Sequence, residues 1–472
     1  MKKSALFLIA VLISLSIVSS LGFQGAIASS SVSGIISSNA TWSREAGPWN
    51  LTGNVLIENG VTVTVEDGAV VNLNGYYIRV NGTMLVKPGV TINTQAQSGH
   101  IEVNGVFSAR GTSANPIHIY GAEAYTVWIA PPVYSSIQFS ALSTGWNEQS
   151  QSGSIIEYSV INSTVITIDT SLKLANNVID TTIESKNDSP IIYKNTIKAA
   201  LSITGGSPTI TANTFDGGRI TFYGDNGQEN VVISNNVISK PSEVSGGAAG
   251  LWFGGSWGGG GHVLVEKNLI TDCYYGIQIF SPNFANLNTA LTVKDNAIRN
   301  NQVGLYVSNR YNPTVTGNNI VGNVVSVKMV TDYSGQSADI SIPNNWWGTT
   351  STSAIDQSIY DFNDDFNLGK VTYTPILTSE NTAAYPDSSV PIPSTSPLPT
   401  LTPTAEPHSN STAQPTTQPT QNPTVTSNPT EPTPQVPLSI DWATAVVIAL
   451  LAVVAVLLAV NILYMRRRAA KP

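Results

Sequence analysis

Asn177-Val178-Ile179, Asn195-Thr196-Ile197, Asn213-Thr214-Phe215 and Asn236-Val237-Ile238 repeat one phrase: an asparagine, any residue, then an apolar one. Asn268-Leu269-Ile270, Asn296-Ala297-Ile298, Asn318-Asn319-Ile320 and Asn345-Trp346-Trp347 continue it. The gaps are 18, 18, 23, 32, 28, 22 and 27 residues. Ser159-Val160-Ile161 carries the same phrase 18 residues upstream, with Ser for Asn. Recurrence at this length marks a stacked solenoid, in which no single unit can bury its apolar side alone.

Each unit holds short alternating runs such as Ile101-Glu102-Val103, Leu201-Ser202-Ile203, Ile277-Gln278-Ile279 and Leu305-Tyr306-Val307. Alternation with β-branched residues is the signature of a strand with one buried face. Parallel coils of two or three short strands accommodate the variable gap, because a coil must return to its column while its loops lengthen. An all-β solenoid of about a dozen coils is therefore expected. The asparagines suit a bend, since Asn tolerates left-handed backbone, and stacked amides can form a hydrogen-bonded ladder about 4.8 Å per step. Two earlier units keep Asn81-Gly82 and Asn104-Gly105, and their register sets Arg79 beside Glu102 on the outer face.

These phrases resemble the right-handed parallel β-helix repeats of the pectin-lyase-like superfamily over roughly residues 51–377. Gly111-Thr112, Ser154-Ile155-Ile156-Glu157-Tyr158 and Asn344-Asn345-Trp346-Trp347-Gly348 are similar to segments of large secreted and surface β-helix proteins. The resemblance implies a fold, and it covers lyases, hydrolases and adhesins alike. It also implies that residues 354–377, with Asp361-Phe362-Asn363-Asp364-Asp365, close the last coil, and that Trp346 and Trp347 join that lid.

The flanks carry an address. Lys2 and Lys3 precede an apolar run, and Ala26-Ile27-Ala28 fits a small-x-small cleavage site, so residues 1–28 read as a signal peptide. Residues 443–464 are apolar apart from Thr444 and Asn461, enough for one bilayer crossing within a predicted membrane helix at 440–464. Trp442 and Tyr464 flank that span, and the basic tail at 465–472, with Arg466, Arg467, Arg468 and Lys471, places the C-terminus in the cytoplasm. Between them, residues 378–439 are rich in Pro, Thr and Ser and read as an extended, disordered stalk. The β-helix domain then occupies 29–377 on the outside of a single-pass cell-membrane protein. The stalk's Ser and Thr density suits O-glycosylation, and sequons stand along the chain at Asn39, Asn50, Asn81, Asn162, Asn187 and Asn410.

Composition narrows the partners. A net charge of −8 with only 22 Lys and Arg argues against nucleic acid. The single cysteine, Cys273, forms no intramolecular disulfide and reads as a packed hydrophobe. No cofactor is expected: His100, His118 and His262 lack ligand spacing, and Asp225-Asn226-Gly227 with Glu229 gives Ca2+ only a weak loop.

Two outward columns could carry chemistry. Three residues past the asparagines stand Asp180, Lys198, Asp216, Ser239, Thr271 and Arg299. Asp180 and Asp216 are weak catalytic candidates for a glycoside hydrolase or polysaccharide lyase. Two coils separate them by about 9.6 Å, near the upper end of the inverting-hydrolase range. Lys198 between them favours ionised carboxylates, which opposes a general acid. The glycine-led strands at Gly250, Gly276 and Gly304, with Ser326 leading the next coil, align Trp252, Gln278, Tyr306 and Lys328 outward, beside a glycine-rich stretch at 245–261 with Trp257. Flat aromatics with amide and ammonium groups suit a sugar chain. The other reading packs Trp252 and Trp257 against the glycines. The function expected is non-catalytic binding of polysaccharide or a cell-envelope partner. The alternatives are an anchored lyase or hydrolase, and a purely structural envelope component.

Overall fold

The computed structural model describes residues 29–94, 99–121, 136–224, 230–241, 248–255, 261–280, 290–308, 313–331, 335, 337–387 and 389. The predicted signal peptide, the stalk beyond 389, the membrane helix, Trp257 and the 225–229 loop lie outside them. Among the described residues, no helix is long and apolar enough to cross a membrane.

The chain winds into a parallel β-helix with three strands per coil. One coil runs through Lys173–Ala175, Val178–Asp180 and Ile183–Lys186 before the next begins at Ile191–Tyr193. Every strand pairs in parallel with its counterpart a coil away, and the first-strand face alone stacks twelve strands. The other two faces are joined into one sheet of 25 strands because Trp49–Ile57 runs through both without a break.

Alternation fixes which side chains go in. Leu174, Ile179 and Ile183 of one coil are fully buried. Leu174 stacks on Ile192, Ile179 on Ile197, and Ile183 on Leu201. One continuous apolar core runs from Trp42 to Val371. Burial of this uninterrupted column is the main stabilising term, because hydrophobic gain scales with apolar area removed from water.

The unequal gaps arise at two corners, one of them between the second and third strands, as from Ser239 to Ala249. Extra residues also fall between the third strand of a coil and the first of the next, for example between Gly255 and His262 and between Ile279 and Ala290. In the coils from Lys173 on, the first two strands keep their spacing, so register survives the insertions.

The asparagines form a single ladder. The Asn177 backbone N–H and Nδ2 both donate to Asn195 Oδ1, at 2.9 and 3.0 Å. The same double contact links Asn195 to Asn213, Asn213 to Asn236, and Asn236 to Asn268. It continues through Asn296 and Asn318 to Asn345. The second Nδ2 hydrogen goes to a main-chain carbonyl in the preceding coil, as from Asn195 to Leu174. Each ladder member is at most 1 % exposed, so an unmet amide there would be costly. The left-handed bend expected at these residues sits one position earlier. Asn176, Lys194, Ala212, Asn235, Lys267, Asp295, Gly317 and Asn344 carry the positive φ, while no ladder asparagine does. The amide spans the bend from inside, so the strained position itself tolerates Lys or Ala.

The C-terminal end is closed. The short helix Thr352–Asp356 buries Ile355, and Ile359–Tyr360 adds a last strand to the third face. Trp347 is buried against the edge of Tyr373, 5.7 Å between rings, whereas Trp346 is only partly covered. The Asp361–Asp365 stretch is a turn rather than an extended segment: Asp364 N–H and Asp365 N–H both donate to the Asp361 carbonyl at 3.0 Å. The buried Asp361 carboxylate accepts from the N–H groups of Asn363 and Val371. Such a lid keeps the last coil from offering a pairing edge.

One segment departs from its sequence reading. Residues 378–387, read as the start of the stalk, include a stretch packed on the second-strand face. Asn381 N–H donates to Asn319 Oδ1, and Asn319 Nδ2 returns a bond to the Asn381 carbonyl, both at 2.8 Å. Ala384 is fully buried, and Tyr385 packs on the outward side chains of Val237, Leu269 and Ala297. Composition hid this, because a short docked segment needs only a few apolar contacts.

Candidate functional site

The third-strand face carries one outward column along the whole solenoid. From Arg79 it passes through Glu102, Gln138, Thr167, Glu184, Ser202 and Thr221. It then changes character: Thr221 pairs with Trp252, Trp252 with Gln278, Gln278 with Tyr306, Tyr306 with Lys328, and Lys328 with Tyr360. The seven rungs from Arg79 to Thr221 are polar or charged, and only Leu56 and Ile35, in the first two coils, precede them with apolar side chains. The aromatic run is an addition to what folding needs.

The strands Ala249–Gly255, Tyr275–Ile279, Val303–Ser308 and Val325–Val330 position these side chains. Their inward partners Leu251, Ile277, Leu305 and Val327 are buried, so the alternate residues must face out. From Trp252 to Tyr360 is four rung steps, about 19 Å along the axis.

Other rings widen the strip. Tyr223 lies 4.9 Å from Trp252, and Tyr275 lies 4.6 Å from Tyr306 and 4.7 Å from Tyr274. Lys328 Nζ stands 5.4 Å from the centre of the Tyr360 ring, within cation–π range. Burial, then the charge of neighbouring tyrosines, pushes the Tyr275 and Tyr306 hydroxyls up, so both stay neutral donors at ordinary pH. Tyr223, Tyr274 and Tyr360 are exposed, and Trp252, Tyr275 and Tyr306 are half-buried.

Trp252 does pack on a glycine, within its own strand. A Cβ placed on Gly254 would lie 2.1 Å from the Trp252 ring, so the indole lies across that bare backbone. It is thereby held flat with Tyr223 at its side. Packing and presentation are thus both properties of this ring.

The acidic candidates sit on a different face. Asp180 and Asp216 are exposed on second strands. Lys198 lies one rung from each, with its N–H bonded to the Ile179 carbonyl. Among the described residues, no ion pair within 4.0 Å joins the three. The same column ends at Arg299, whose Nη1 donates to Tyr385 Oη at 3.2 Å. In the cap, a hollow of about 320 Å3 is lined by Asp356, Asp361, Lys370 and Tyr373, but Asp361 is spent on backbone N–H groups. Among the described residues, no three His, Cys, Asp or Glu side chains gather as a metal site.

A second ladder, absent from the sequence reading, lies at the next bend. Cys273 N–H donates to Asn301 Oδ1 at 3.0 Å, and Asn301 N–H to Asn323 Oδ1 at 2.9 Å. Cβ atoms on Gly250, Gly276 and Gly304 would lie 3.0 Å or less from Cys273 Sγ, Asn301 Nδ2 and Asn323 Nδ2 respectively. At Gly276 and Gly304 the main-chain carbonyl of the next rung is closer still, at 2.7 Å, so the glycines that lead the aromatic strands admit both the ladder and the close approach of the next strand. The signal was the repeat of Asn or Cys three residues before Gly, in Cys273-Tyr274-Tyr275-Gly276 and Asn301-Gln302-Val303-Gly304. Cys273 is buried, and burial pushes its thiol up, so it remains protonated and inert.

Comparison with known proteins agrees on architecture. A family model described as a right-handed β-helix region matches residues 149–346, the part of the chain that holds the asparagine ladder. No curated protein and no solved structure matches the chain. The class defined here is a right-handed parallel β-helix, and the site on it is an axial strip of aromatic, amide and ammonium groups.

Proposed function

We propose that this is an exported, membrane-anchored β-helix protein of pectin-lyase-like architecture that binds polysaccharide of a cell envelope without cleaving it. The observation that carries the reading is the outward column Trp252, Gln278, Tyr306, Lys328 and Tyr360, aligned rung by rung. Aromatic faces cover the apolar side of a sugar ring, while Gln278 and the tyrosine hydroxyls bond its hydroxyls. The signal-like residues 1–28, the Pro/Thr-rich stretch and the apolar 443–464 with its basic flank support export and a single C-terminal span.

An anchored hydrolase or lyase is supported less well. Asp180 and Asp216 stand exposed on an open sheet, two rungs apart, with Lys198 on the rung between them. The test is a glycan array probed with the wild type and with Trp252→Ala/Tyr306→Ala. Binding of a glycan class that the double variant loses supports the proposal. No binding, or binding that the variant retains, refutes it. Release of new reducing or unsaturated ends, lost in Asp180→Asn or Asp216→Asn, would establish the enzymatic reading instead.

A further inference from the structure

Most outward positions on the second-strand face are polar or exposed, but three consecutive rungs present Val237, Leu269 and Ala297 in register. These three are at most 6 % exposed. Ala212 packs on them from the bend before, and Tyr385 from the chain's own far end. Residues 380–385 leave the cap, turn back, and run along this face toward the N-terminal coils. Asn381 fixes the start: its Nδ2 donates to Asp295 Oδ1 and the Gly317 carbonyl, in addition to the paired bonds with Asn319. Tyr385 fixes the end, between Arg299 and the Glu380 carboxylate.

We infer that residues 380–385 form a clasp that a pull on the chain beyond Asp387 peels away, uncovering the apolar strip of Val237, Leu269 and Ala297. The direction of the clasp decides its mechanics. It runs back over the solenoid, so a force directed away from the N-terminal end folds it over itself. Contacts then break one at a time, Tyr385 first and the Asn381 cluster last. The coils beneath are paired along whole strands and resist together. The clasp is therefore the first element to yield, and its release changes an otherwise polar flank into an apolar one. This holds whatever the aromatic strip binds.

The experiment is single-molecule pulling of the full chain through handles at Ser30→Cys and Ser389→Cys, with the buried Cys273 left in place. Release from Leu377 to Asp387 frees 387 − 377 = 10 residues, at most roughly 36 Å of chain. The expected trace shows one early, low-force extension of no more than that length, before the coils unfold. Asn381→Ala/Tyr385→Ala should abolish the early step and leave the later transition at its original force. Because both residues lie on the surface of the solenoid, the variant is checked for an unchanged circular dichroism spectrum. A wild-type trace without the early step overturns the inference. So does an early step that survives in the double variant, or a later transition that weakens with it.

Discussion

Asn213 Oδ1 accepts two hydrogen bonds from one residue, the backbone N–H of Asn195 at 2.9 Å and its Nδ2 at 3.0 Å. A single oxygen thus terminates both donors of the coil before it, inside a core that water does not reach. Asn213→Ala strands those two donors and the Ile192 carbonyl that Asn213 Nδ2 serves. Each buried group left unmet costs about 1–3 kcal/mol, so the variant should lose roughly 3 kcal/mol or more in urea unfolding. Asn213→Asp should fare no better, because its carboxylate would face Asn236 Oδ1 where an amide now donates at 3.0 Å. Asn72→Ala, in a half-buried outer stack, should cost about 1 kcal/mol or less.

The Trp252 ring can be displaced without touching it. Gly254→Ala places a methyl where the indole lies, and the flexible side chain must swing off the strand. The backbone there is not left-handed, so alanine itself is tolerated. Glycan affinity should fall about tenfold or more, with the unfolding midpoint nearly unchanged. Equal binding by wild type and Gly254→Ala would separate Trp252 from the site.

Tyr373 supplies an alkaline signature. Burial, then its hydrogen bond to Asp356 at 2.7 Å, pushes its hydroxyl up to about 12. A raised folded value means its contribution is complete below pH 10 and is lost as pH rises through about 12. In an absorbance titration of tyrosinate, one residue should ionise near 12, and Tyr373→Phe should remove it.

At acid pH the pair Lys173–Glu148 should be visible. The hydrogen bond from Lys173 holds the Glu148 carboxyl below its ordinary 4.5. A depressed folded value gives stability that is present above pH 4.5 and lost as pH falls through the lower folded value. Lys173→Met should flatten the decline of the unfolding midpoint below pH 4.5, by a small amount because Glu148 is half exposed. An unchanged acid limb would assign no role to the pair.

Architecture was legible because it repeats. The Asn-x-apolar phrase and the alternating runs report a local rule that every coil obeys, and Arg79 beside Glu102, 2.8 Å apart, follows from aligning two of them. The aromatic column was legible for the same reason, since Gly250, Gly276 and Gly304 set its register. What the residues did not disclose depends on contacts far apart in the chain. The Asn381–Asn319 pairing spans 62 positions and has no repeat among the described residues. Tyr223 and Tyr360 join the strip only once adjacent rungs are counted through unequal corners. The position of the bend was missed by one residue because Lys194 and Ala212 carry none of the usual preference for positive φ.

The direction of the asparagine ladder has a consequence for how such a molecule can change its length. Every amide oxygen points toward the preceding coil, so each rung offers the same acceptor upstream and the same donors downstream. An 18-residue copy of the rung around Asn195, inserted before Asn213, would meet complementary groups on both sides without altering either neighbour. Duplication or deletion of whole rungs is then a neutral structural step, and the reach of the molecule can be adjusted in increments of one turn.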